Sequence, residues 1–123
     1  MDTRKKIVDE AALSTVPGGV CLARGWFDVL TADHGELLSK AKARHRTLVA
    51  LVYQDTPSRP VPLVASDRAQ MIAALESVDL VCKCDASRVK SIVETLRPES
   101  EIDVDALQSR DVVRDVLERH AEL

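Results

Sequence analysis

Between Arg24 and His34 the chain brings together a glycine, a hydroxyl and an imidazole: Gly25 follows an apolar run, and Thr31 and His34 stand three apart at the head of a helical pattern. The first amides of a helix lack partners within it and carry partial positive charge, so such a stretch suits an anion, phosphate above all. Bland readings stay open beside this one. Thr31 is of a type common before helices for capping alone, and a polar residue such as His34 in a first turn is often only solvated. Cys82 and Cys84 fall on one face of a strand, yet a metal centre would need two further ligands from Cys21, His45 or His120. Buried thiols packed as small hydrophobes are the better account, and no metal site is expected.

A scaffold for the Arg24 to His34 stretch can be read along the chain. The run Val20-Cys21-Leu22-Ala23 behind Pro17-Gly18-Gly19 predicts a buried strand entered from a turn. From His34 to Arg44, Leu37, Leu38 and Ala41 recur at helical spacing with Lys40, Lys42 and Arg44 on the far side, which predicts an amphipathic helix. The unbroken β-favouring run Thr47 to Tyr53 predicts a strand covered on both faces, ended by a loop with three prolines from Gln54 to Pro62. Ser66 or Asp67 is expected to cap a helix reaching about Ser77, with Met71, Ile72, Ala74 and Leu75 on one side. Leu80-Val81-Cys82 reads as a third strand. Asp85 or Ser87 is expected to cap the next helix, where Val89, Ile92, Val93 and Leu96 line up before Pro98 stops it. A last helical period covers residues 112–123.

Strands alternating with helices pair in parallel through right-handed crossovers, so the expected architecture is a three-layer α/β/α, Rossmann-like doubly wound sheet. Ligands of such sheets bind outside the carboxyl ends of the strands where the strand order reverses. A length of 123 residues suits one domain over residues 1–123, with no room for a second core.

Composition narrows the partners. Seventeen basic and twenty acidic residues leave a formal charge of -3, which offers no long-range attraction to a polyanion. Trp26, Phe27 and Tyr53 are too few for a base-stacking platform, so no nucleic-acid partner is expected. No apolar run approaches the ~20 residues of a membrane span, so no membrane partner is expected either. The charged start, Met1 to Lys6, is followed by Asp9-Glu10 rather than by an apolar core, unlike a secretory leader. With three cysteines, an odd number, the expectation is a cytoplasmic protein with reduced thiols.

The stretch Arg24-Gly25-Trp26-Phe27-Asp28-Val29-Leu30-Thr31-Ala32-Asp33-His34 resembles the signature G-x-F-D-x-x-[HT]-x-G-H of cytidylyltransferase-like nucleotidyltransferases. The likeness is above all to the glycerol-3-phosphate cytidylyltransferases and the nucleotidyltransferase domain of bifunctional heptose biosynthesis proteins. Arg59-Pro60-Val61, Arg68 and the run Ala73 to Val81 look like that family's R-P-V loop, helix arginine and A-L-x-x-V-D-x-V segment. The likeness is strongest over residues 18–98. It implies transfer of a nucleotidyl group from CTP or ATP, with Mg²⁺, to a small phosphorylated sugar or polyol, with release of pyrophosphate. It also implies a homodimer. Thr31 and His34 would be the catalytic contacts to the phosphates; Gly25, Phe27, Asp28, Arg59 and Arg68 would serve nucleotide and phosphate binding, Phe27 by packing and Asp28 by ordering the turn. For Arg59 and Arg68 the plainer alternative is that of ordinary surface arginines.

Departures from the pattern bear on activity. Asp33 stands in place of the motif glycine, adding bulk and negative charge beside the expected triphosphate. Three residues before Glu36, it is expected to be the N-cap of a capping box that blocks the anion socket from within. Only Thr56-Pro57-Ser58 separates Asp55 from Arg59, where the family has a longer loop with lysines, and residues 99–105 are acidic enough to repel a nucleotide. A second expectation therefore stands beside the enzyme: a non-catalytic descendant of the fold used for dimerisation, partner binding or nucleotide sensing.

Overall fold

The computed structural model describes residues 2–28, 31–57 and 63–105. Arg59 and the helix expected over 112–123 lie outside the described residues. The strands are Ile7–Val8 (β1), Val20–Gly25 (β2), Thr47–Tyr53 (β3), Leu80–Cys84 (β4) and Ser100–Asp103 (β5). They form one sheet in the order β1-β4-β3-β2-β5, and every pairing is parallel. The helices are Glu10–Leu13 (α1), Ala32–Ala43 (α2), Ala65–Ala73 (α3) and Val89–Leu96 (α4).

The inner strands β2, β3 and β4 bury both faces, as parallel strands between helices must. Alternate residues of β2 and β3 part to opposite sides. Cys21, Ala23, Leu48, Ala50 and Val52 pack under Leu38 and Ala41 of α2 and Ala69, Ile72 and Ala73 of α3. On the other side Val20, Leu22, Val49, Leu51 and Tyr53 meet Leu13 of α1 and Ile92 and Leu96 of α4. This is the three-layer α/β/α sandwich expected from the alternation of elements. Each fully buried aliphatic side chain contributes about 1.5–3 kcal/mol of transfer free energy, which makes the doubly covered β3 the centre of the core.

Local chemistry sets the boundaries. Asp79 fixes the start of β3: its Oδ2 accepts from the Leu48 amide at 2.7 Å and from Lys42 Nζ at 2.7 Å, tying the end of α2 to the sheet. The observed α3 begins at Ala65 and uses neither Ser66 nor Asp67 as a cap, because Val64 is the N-cap and its side chain has no hydrogen-bonding group to offer. The carboxylate of Asp55, beyond the end of β3, takes the Ala65 amide instead at 3.0 Å. Met71, expected on the inner face of that helix, is exposed, while Ala69 and Ala73 are buried. Helix α4 ends at Arg97, whose left-handed φ of 49° breaks the helix before Pro98.

Two strands went unforeseen. β1 has only two residues, and β5 lies in the acidic stretch expected to repel a nucleotide. Among the described residues β5 pairs with β2 alone, from Cys21 opposite Ser100 to Arg24 opposite Asp103. At the edge of the described sheet it has one bonded side, and charged residues are tolerated there where a central strand would reject them.

Candidate functional site

From β2 the chain steps through β3 to β4 in one direction, then returns through α4 to β5 on the opposite side of β2. The strand order therefore reverses at β2, and the crevice outside the carboxyl ends of β2 and β5 is where such a sheet takes a ligand. The stretch singled out from the sequence lies there.

Thr31 is the N-cap of α2, with φ -112° and ψ 169°. Its Oγ1 accepts from the His34 amide at 3.4 Å, and its own amide donates to His34 Nδ1 at 3.0 Å. Threonine and histidine thus close a reciprocal capping box in which an imidazole takes the part that Glu or Gln plays elsewhere. The consequence lies on the other ring nitrogen. A backbone amide can only donate, so Nδ1 must accept, and the proton of the neutral ring sits on Nε2. His34 is 3% exposed, and its Nε2 has no hydrogen-bond partner among the described residues. A buried donor without a partner is costly, and a ligand oxygen is what would satisfy it.

Asp33 does not cap. It is already in the helix, one residue before His34, and its side chain is exposed. Only a residue with extended backbone directly ahead of the helix can turn its side chain back onto the first amides, and Thr31 holds that position. The expected Asp33–Glu36 box is replaced by Thr31–His34, and Glu36 pairs with Lys40 at 3.1 Å. The Ala32 and Asp33 amides are the first-turn donors that the box leaves unused.

Gly25 ends β2. A β-carbon there would meet the carboxylate of Asp105 at 3.0–3.2 Å, and Asp105 Oδ2 accepts from the Trp26 amide at 3.0 Å. Phe27 follows with a left-handed φ of 53°, costly for a residue with a β-carbon, and the turn sends its ring into the core on the side covered by α2 and α3. Asp28 is half-buried, with one carboxylate oxygen enclosed. On the opposite face Trp26 meets Tyr53 edge to face, ring centroids 5.4 Å apart.

Arg68 is not an open phosphate ligand. Its side chain is 0% exposed; Nε donates to the Leu63 carbonyl at 2.9 Å, one terminal nitrogen to the Trp26 carbonyl, and the other to Asp55 Oδ1 at 2.7 Å. The guanidinium also lies 5.9 Å from the centre of the Trp26 ring, a cation–π distance. It is neither the surface arginine of the plain reading nor a residue lining a cleft; it clamps the loop after β2 to the start of α3. The Asp55 carboxyl is held below its ordinary range by the Ala65 amide first and the Arg68 guanidinium second. Asp55 went unnoticed in the sequence, although an acid just past a strand and ahead of a helix without a cap of its own was the available sign.

The acidic β5 stretch is partly matched by cation. Arg24 donates through Nε to Glu101 at 3.2 Å and through a terminal nitrogen to Tyr53 Oη at 3.1 Å and Asp103 at 3.4 Å. Elsewhere, all three cysteines are free and buried. Burial pushes the Cys82 thiol up to about 11 and the Cys84 thiol up to about 12. Among the described residues no three acidic, histidine or cysteine side chains converge as a metal cluster, and no helix is long and apolar enough to cross a membrane.

Comparison with known proteins agrees with this geometry. A family model described as cytidylyltransferase-like matches residues 22–121. The bifunctional protein HldE of Sulfurimonas denitrificans is 33% identical over 88 residues, covering 66% of this chain and 18% of that protein. The bifunctional protein HldE of Caulobacter vibrioides is 34% identical over 87 residues, covering 65% of this chain and again 18% of the relative. The chain thus spans less than a fifth of the length of these curated relatives. A solved structure of a lipopolysaccharide core biosynthesis protein from Thermoplasma volcanium superposes with a TM-score of 0.62 at 22% identity, covering 76% of this chain and 86% of its own, and shares the fold.

Proposed function

Because the chain belongs to the cytidylyltransferase-like family, we propose that its nucleotidyltransferase domain binds a nucleoside triphosphate, CTP or ATP, in the crevice beside the first turn of α2. It passes the nucleotidyl group to the phosphate of a small sugar or polyol phosphate. An acceptor phosphate oxygen attacks the α-phosphorus in line; the bond to the β-phosphate oxygen breaks, and pyrophosphate leaves with the electron pair. No covalent enzyme intermediate is needed, so the protein's part is to align two anions and to meet charge growing on the leaving group.

The observation that carries this reading is the buried Nε2 of His34, oriented by its Thr31 bond and lacking a partner among the described residues. In this reading Nε2 donates to a phosphate oxygen, the Ala32 and Asp33 amides supply two more donors, and Thr31 is a positioning residue that fixes the tautomer. Magnesium is expected to arrive with the triphosphate. Such ions keep several waters and bind through the nucleotide's own phosphates and one or two carboxylates rather than through an all-protein cage. Resemblance to longer bifunctional heptose proteins favours a phosphorylated sugar as acceptor.

Calorimetric titration with CTP and with ATP, each with Mg²⁺, tests binding; pyrophosphate release against a panel of sugar and polyol phosphates tests transfer. The expected result is saturable binding of one nucleotide and its loss in His34→Ala. If neither nucleotide binds the native chain, the family's fold persists here without its chemistry.

A further inference from the structure

The carboxylate that meets the candidate site from within is Asp105. Three observations converge on it. First, it lies in the crevice that the reversal of strand order creates, just past β5 and against the end of β2. Second, its Oδ2 takes the Trp26 amide, the first backbone donor after β2. Third, both its oxygens and its carboxyl carbon stand 3.0–3.2 Å from where a β-carbon of Gly25 would be, so the close approach depends on glycine. A backbone donor at a strand end beside a residue without a side chain is a place where a phosphate oxygen can also come close.

Resting on the nucleotide-binding reading above, we propose that Asp105 is a specificity-determining residue: an internal anion seated over Gly25 and the Trp26 amide, which an incoming phosphate group must displace. The group is held in place by the residues that precede it. Val104, directly before it, is fully buried with the α2 face of the core, and Asp103, two residues before, pairs with Arg24. The carboxylate is therefore held against β2 by its neighbours. Its negative charge also sets a preference. A phosphate group with its own bound cation is accepted more readily at this position than the bare anion, because the cation offsets repulsion between carboxylate and phosphate.

Two variants separate charge from occupancy. Asp105→Asn keeps the shape and an oxygen able to accept from Trp26; Asp105→Gly empties the position. The full 123-residue chain and both variants are titrated calorimetrically with tripolyphosphate, and with CTP and ATP plus Mg²⁺. Amide chemical shifts of Trp26 are followed in parallel. The expected result is affinity for tripolyphosphate at least tenfold tighter in both variants, equal to about 1.4 kcal/mol. The gain with the magnesium nucleotides is smaller, and the Trp26 amide shift moves on ligand addition in the variants.

Binding of the nucleotides by all three forms with equal affinity overturns the assignment of Asp105 and leaves the nucleotide reading standing. Weaker binding by Asp105→Asn overturns it too, because the carboxylate then helps the ligand. Failure of all three forms to bind any probe overturns both.

Discussion

Arg68 donates to the carbonyl oxygen of Trp26, and through that bond α3 closes the loop that follows β2. The same guanidinium holds Asp55, whose second oxygen starts α3. One buried cation therefore joins the ends of β2 and β3 to the first turn of a helix. Replacing it with methionine leaves a carboxylate and two carbonyls without their donor. Arg68→Met is expected to lose about 3 kcal/mol of stability, read as a lower urea midpoint with unchanged slope. Arg68→Lys should recover only part of the loss, since one ammonium cannot reproduce the three-way fork.

Gly25→Ala gives a test of packing at the site that needs no ligand. The added methyl must push against the Asp105 carboxylate, so the single substitution should destabilise the fold by about 1–3 kcal/mol. In an Asp105→Gly background most of that cost should vanish. Urea unfolding of the four forms measures the coupling, and a value under about 0.5 kcal/mol would show the two residues to be independent.

Thr31→Ala removes a cap acceptor from the His34 amide and should cost about 1 kcal/mol, with Thr31→Ser close to native. The backbone bond from residue 31 to Nδ1 survives both changes. Proton NMR of the His34 ring should accordingly keep its Nε2–H tautomer in each variant, whereas the stability loss appears only in Thr31→Ala.

The thiols carry a pH dependence with a definite sign. In the unfolded chain a cysteine ionises near its model value of 9.0, while in the folded chain Cys82 is raised to about 11 and Cys84 to about 12. The folded state holds those protons longer. Both thiols therefore leave stability untouched below about pH 9 and lower it as pH rises from there toward 12. Denaturation midpoints taken between pH 8 and pH 11 should fall, and a Cys82→Ala, Cys84→Ala double variant should show a shallower decline. A thiol reagent at pH 8 should react with the native chain only as fast as it opens.

Much of this fold was legible because the core writes itself into sequence by period. The strand over Thr47–Tyr53 has the bounds its unbroken apolar run predicts, and the α2 face appears in Leu38 and Ala41. β5 was hidden because edge pairing satisfies the backbone on one side only. Its acids are matched across the sheet by Arg24, a partner far away in the chain. The cap was misplaced for a related reason. Asp33 and Glu36 have the residue types of a capping box, and so do Thr31 and His34 once an imidazole is admitted as an acceptor; only the backbone angles decide between them. Arg68 was recognised as important but misread in kind, since nothing in a helical period says that an arginine on it will meet Asp55 beneath a tryptophan.

The all-parallel sheet also fixes the order in which the chain can assemble. Ile7 must wait for Val81 to find its ladder partner, and Cys21, which pairs with Leu48 on one side, must wait for Ser100 on the other. During synthesis, at roughly 5–20 residues per second, β2 and β3 can zip together early while β1 waits seconds for β4. The outer strands are thus the last stitches of the sheet.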